Sequence, residues 1–91
     1  MKEIVESKIE ELQKLLVLNR IRILEILYVE DTCVCQMVKK IDIKHNLISH
    51  HLKTLQGMGY IKSKRNGQHM IYIINEEKRS FVKELLNLLK K

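Results

Sequence analysis

Two cysteines one residue apart, Cys33 and Cys35, and four histidines, His45, His50, His51 and His69, are the side chains with most chemistry to offer. A thiolate ligates soft ions and is open to oxidation. Neighbouring cysteines in a chain with no others read as thiols, not as a structural disulfide. A zinc finger is excluded, because no second Cys or His pair has suitable spacing. The histidines keep different company. His45, Asn46, Ser49, His50 and Lys53 recur at helical spacing, on the face opposite Leu47, Ile48 and Leu52. Asn and His bond base edges, and Ser and Lys bond phosphate. No acidic residue lies between Lys44 and Asn75, which suits contact with a polyanion.

Enzymatic chemistry finds no footing. There is no phosphate-binding Gly loop and no isolated nucleophile–base pair. From Val38 to Asn75 the one carboxylate is Asp42, so paired-acid catalysis has nowhere to sit.

The elements that must position these residues follow from periodicity and punctuation. Val5, Ile9, Leu12 and Leu16 predict an amphipathic helix over residues 3–17. Residues 20–29 predict an apolar helix with Ile21, Leu24 and Leu27 or Tyr28 on one face. Asp31 and Thr32 offer caps for a short helix from about Cys33 to Lys40. After a tight turn over residues 41–44, a fourth helix spans 45–56, with Leu47, Ile48, Leu52 and Leu55 inward. Gly57 and Gly59 suit its C-terminal stop. Residues 60–64 and 69–74 read as strands, joined by a connector holding Asn66-Gly67, a strong hairpin signal. A last helix covers 76–90, with Phe81, Val82, Leu85, Leu86 and Leu89 apolar. The expected class is α+β, mainly α, in the order α-α-α-α-β-β-α: a winged helix-turn-helix. Lys64, Arg65, Gln68 and His69 fall at the hairpin tip, where a wing can lie along a nucleic-acid backbone or minor groove.

Ninety-one residues make one domain, 1–91, small enough that a partner subunit would help its stability. The net charge of +6 is unevenly spread. Residues 1–37 carry five basic and seven acidic side chains, whereas 38–75 carry seven basic and one acidic. A basic block inside a folded domain points to a polyanionic partner. The opening MKEIVESKIEEL alternates charge with apolar residues, and no apolar run approaches a membrane span, so a cytoplasmic protein with no membrane partner is expected.

The stretch CVCQMVKKIDIKHNLISHHLKTLQGMGYIKSKRNGQHMIYII, residues 33–74, resembles the ArsR/SmtB family of winged helix-turn-helix repressors. The C-V-C, the I-S-H-H-L-K-x-L helix, the G-x-G-Y-I that ends it and the N-G-x-x-x-x-Y hairpin carry the likeness. The resemblance implies a homodimer built from the helices at 3–17 and 76–90. It also implies binding to an inverted-repeat operator in double-stranded DNA, with release by an inducer. It carries DNA contact onto Asn46, Ser49, His50 and Lys53, and wing contact onto Arg65, Gln68 and His69. His51 matches a residue that packs or bonds backbone. Where the family begins this helix with a capping Ser, this chain has Lys44, so Asn46 or water must satisfy the first amides.

C-V-C is that family's mark of a thiolate sensor, which implies a thiophilic metal or metalloid ion at Cys33 and Cys35. The rest of the site is missing from the sequence. Val38 stands where a third Cys follows in arsenic sensors, residues 1–32 hold no Cys, and residues 76–91 hold no Asp or His. Three readings of the pair stand side by side: a soft-ion site completed by another ligand, a redox switch, or partly buried cysteines with no sensing role. The alternative function is a winged-helix module that binds protein or RNA.

Overall fold

The computed structural model describes residues 2–90, with side chains from Val5 onward. The elements run α1 (Lys2–Leu15), α2 (Leu18–Val29), β1 (Thr32–Cys33), α3 (Val34–Lys40), α4 (His45–Gly57), β2 (Ile61–Asn66), β3 (His69–Ile74) and α5 (Glu76–Leu89). This is the expected mainly helical α+β fold with one strand added. The sheet is antiparallel in the order β1-β3-β2.

β1 is the addition, and it corrects the expected start of the third helix. Thr32 and Cys33 are buried and extended, pairing with Tyr72 and Ile71 of β3. A two-residue strand has no alternation for a sequence to display. The expected caps also fail. Cys33 occupies the N-cap position without a side-chain bond, and Thr32 Oγ1 donates instead to the Glu30 carbonyl at 2.9 Å.

α1 stops at Leu15, two residues short of the expected end. Val17 is extended (φ −111°, ψ 129°), so α2 begins at Leu18. α2 is the centre of the domain and packs against α4, α5 and β3. Ile23, Leu24 and Leu27 are wholly buried there, joined in one core by Leu15, Met37, Ile48, Leu52, Leu55, Ile61, Ile74 and Val82. A helix with apolar residues nearly all round is what a central position requires.

The end of α4 is a Schellman closure. The Tyr60 amide donates to the Leu55 carbonyl at 3.1 Å, and the Gly59 amide to the Gln56 carbonyl at 3.0 Å. Gly59 has φ +86°, a backbone that L side chains seldom adopt. Tyr60 thus turns into the core, and its hydroxyl donates to Glu11 Oε2 at 2.9 Å. Burial, followed by the Glu11 hydrogen bond and charge, pushes the Tyr60 phenol well above its ordinary pKa.

Asn75 clamps the start of α5. Its Oδ1 accepts from the Glu77 amide at 3.2 Å, and its Nδ2 donates to the Gly59 carbonyl at 2.8 Å. One side chain therefore ties the end of α4 to the start of α5.

The apolar stripe of α1 lies outside this core. Val5, Ile9 and Leu16 are exposed, as are Phe81, Leu88 and Leu89 of α5. Leu12, Leu16, Phe81, Leu85, Leu88 and Leu89 border an open apolar groove of about 380 Å³. Among the described residues, no helix is long and apolar enough to cross a membrane.

Candidate nucleic-acid interface

α3, the turn at residues 41–44 and α4 form a helix-turn-helix. Ile41 is buried in the turn and anchors it to the core. Lys44 is the N-cap of α4 and makes no side-chain cap bond; Asn46 supplies none either, so the first amides of α4 are left to solvent or a ligand.

The structure brings most of the predicted reading residues to one surface. Lys44, His45, Asn46, His50 and Lys53 are exposed, and Ser49 is half-buried beside them. Ser49 Oγ lies 3.5 Å from His45 Nδ1. Ile48, Leu52 and Leu55 fill the opposite, core face, with no exposed surface. Leu47 does not join them, which corrects the sequence reading. It is 48% exposed and stands among the polar residues of the outer surface. Apolar character alone placed it inward, but it stands one residue, about 100° of helix rotation, away from Ile48 and so off the stripe formed by positions 48, 52 and 55.

His51 plays another part. It is half-buried, and its Nδ1 accepts from Arg20 Nε at 3.1 Å. Arg20 also donates to the Lys14 carbonyl, so its guanidinium joins the end of α1 to α4. Burial, then the Arg20 charge and His50, lowers the His51 pKa from 6.5. The imidazole therefore stays neutral and free to accept. No local signal marks Arg20 as its partner, thirty-one residues away in sequence.

β2 and β3 form the wing, in register from Ile61↔Ile74 to Asn66↔His69. The turn residues are Gly67 and Gln68, not Asn66-Gly67. Only Gly67 has a positive φ (+67°), the pattern of a type II′ turn with Gly first. Lys64, Arg65, Gln68 and His69 are all exposed near this tip. Lys64 Nζ lies 3.9 Å from Asp31, whereas Lys53 and Arg65 have no ion pair among the described residues. Gln56 Nε2 donates to Ser63 Oγ at 3.1 Å and ties α4 to the wing.

The cysteines correct a further expectation. Cys33 and Cys35 form a disulfide, with Cα atoms 5.5 Å apart. They are not two positions on one helix. Cys33 is extended in β1 (φ −92°, ψ 165°), and Cys35 lies in the first turn of α3, so the bend between them brings the sulfurs together. Cys33 is buried and Cys35 exposed. Both border a cleft of about 310 Å³ shared with His45, Ser49, Gln68 and His69. No trio of His, Cys, Asp or Glu is close enough to hold a metal among the described residues. While bonded to each other, the two sulfurs offer no thiolate to a soft ion.

A helix-turn-helix whose second helix is polar outside, followed by a basic two-stranded wing, defines a winged helix-turn-helix domain. The model of the bacterial regulatory protein arsR family matches residues 19–63, which span α2 to the start of the wing. The chain belongs to this family of DNA-binding transcriptional regulators. It is 24% identical over 71 residues to the arsenical resistance operon repressor of Staphylococcus xylosus, covering 78% of this chain and 68% of that one. It is 36% identical over 61 residues to the cadmium resistance regulator CadC of Listeria innocua, covering 66% of this chain and 51% of that one. The chain thus spans about half the length of the cadmium regulator. In structure it is similar to the homodimeric winged helix-turn-helix DNA-binding domain of Mb0332 from Mycobacterium bovis. The TM-score is 0.79 at 18% identity, over 98% of this chain and 82% of that one.

Proposed function

We propose that this chain is a homodimeric repressor that binds an inverted-repeat operator in double-stranded DNA through α4 and the wing. The observation that carries the reading is the outer surface of α4, which presents His45, Asn46, Ser49, His50 and Lys53 with no carboxylate. Lys64, Arg65, Gln68 and His69 extend it onto the wing. The exposed apolar groove between α1 and α5 is the surface that a second copy would cover. The Mycobacterium bovis domain is homodimeric, which supports this. The test is a gel shift against the protein's own promoter and against random duplex at graded salt. Preference for the promoter, weakening with salt, is expected. Equal binding to both duplexes, or no salt dependence, refutes operator recognition. Ser49→Ala with His50→Ala should abolish site preference and leave the dimer intact; loss of the dimer would remove both residues from the DNA surface.

The trigger we propose is oxidation of Cys33 and Cys35 rather than capture of a metal ion. The reading is favoured by the shared cleft, where the cysteine pair borders His45 and Ser49 of α4 and Gln68 and His69 of the wing. With a peroxide as oxidant, exposed Cys35 attacks the O–O bond to give a sulfenic acid and water. The Cys33 thiol then displaces a second water as the S–S bond forms. Two thiols and one hydrogen peroxide thus yield one disulfide and two waters. Peroxide should release the wild-type protein from DNA and leave the Cys33→Ser, Cys35→Ser variant bound. Release by cadmium or arsenite, but not by peroxide, would overturn oxidation in favour of metal capture. Equal release of both proteins would remove the cysteines from the mechanism.

A further inference from the structure

We propose that Leu47 determines operator sequence by packing on the C5 methyl group of a thymine in the major groove; the inference rests on the DNA-binding reading above. Leu47 is the one large apolar side chain exposed on α4 among the described residues. Its neighbours along the outer surface are Asn46 and His50, both exposed and both suited to base edges. It is not needed by the core, which Ile48, Leu52 and Leu55 fill from the other side of the helix. It is also apart from the apolar groove of α1 and α5, so the surface proposed to join two copies does not use it.

The major groove offers an exposed leucine one apolar partner, the thymine methyl; every other group on the base edges donates or accepts a hydrogen bond or is a bare ring edge. Leu47 also sits in the first turn of α4, and the N-terminal residues of a recognition helix are those that approach base edges. An exposed leucine there disfavours cytosine, whose amino group would lose water without gaining an acceptor. The predicted half-site therefore holds a thymine, and Asn46 beside Leu47 suits an adenine close to it.

The test starts with duplexes selected from a random library by the full-length protein. Recovery of no preferred site would refute the DNA reading itself, not the role of Leu47. With a preferred site in hand, each thymine is replaced by deoxyuridine, which deletes the methyl and nothing else. One position per half-site should weaken wild-type binding about fourfold, the change carried by one buried methyl group. Leu47→Ala should bind the thymine and deoxyuridine duplexes equally at that position, and Leu47→Met should restore most of the difference. Unchanged thermal unfolding of Leu47→Ala is expected, since the side chain lies outside the core. If no thymine shows a methyl effect, or if Leu47→Ala keeps it in full, the proposal is overturned.

Discussion

Neutralising two cations on the proposed DNA surface gives the most quantitative check. Lys53 on α4 and Arg65 on the wing are exposed, and neither has an ion pair among the described residues. Lys53→Gln with Arg65→Gln should therefore leave the fold alone, with a stability change under about 0.5 kcal/mol. DNA binding should change in a defined way. Each phosphate neutralised contributes about −0.9 to the slope of log K against log salt. Two cations per protomer make four in a dimer on two half-sites, so the slope should become shallower by about 3.6. Between about 50 and 200 mM salt the wild-type protein should lose about a hundredfold more affinity than the variant. Fluorescence anisotropy with a labelled duplex across that range reads both slopes. Lys83→Gln, which removes one cation per protomer from exposed α5, is the control and should leave the slope in place. An unchanged slope in the double variant, or the same change per cation removed in the control, would refute the placement of DNA on α4 and the wing.

Asn75→Ala should lower stability by about 2 kcal/mol, about half from the lost helix cap and half from the lost bond to Gly59. Calorimetry should show a Tm about 10 °C lower, and Asn75→Asp should recover about half by keeping the cap acceptor. His51 sets a pH dependence. Its folded pKa lies below 6.5, so the stability it contributes is complete above 6.5 and is lost as pH falls through the depressed folded value. Between pH 7 and pH 5 the Tm of wild type should fall more than that of His51→Gln; parallel curves would show that His51 does not titrate in this way.

Much of this molecule is legible in one sequence because its signals are local. The spacing of Ile48, Leu52 and Leu55 outlines α4, and the stretch free of acid from Lys44 to Asn75 accounts for the carboxylate-free outer surface of that helix. What escapes detection is non-local or too short to carry a period. Thr32 and Cys33 become a strand only because Tyr72 and Ile71 arrive beside them. Arg20 finds His51 only after α2 and α4 have packed. Leu47 has the apolar character of a core residue, and only its angular position about the helix turns it outward. The disulfide depends on a bend between Cys33 and Cys35 that the C-V-C pattern does not encode. The cap at Asn75 is missed by apolar periodicity, although Asn is a favoured cap and Glu76 and Glu77 follow it at the positive end of α5.

The Arg20 bridge has a consequence for the operator's geometry. Its guanidinium holds the last turn of α1, which bears the proposed subunit contact, against the histidine of α4. In a dimer joined through α1 and α5, the distance and the rotational phase between the two α4 helices would then depend on this joint in each protomer as well as on the subunit contact. DNA turns by about 34° and rises about 3.4 Å per base pair over a repeat of about 10.5 pairs, so a displacement of that size at this joint would misalign one half-site by a base pair. Arg20, which touches no base, would act as the gauge of half-site spacing.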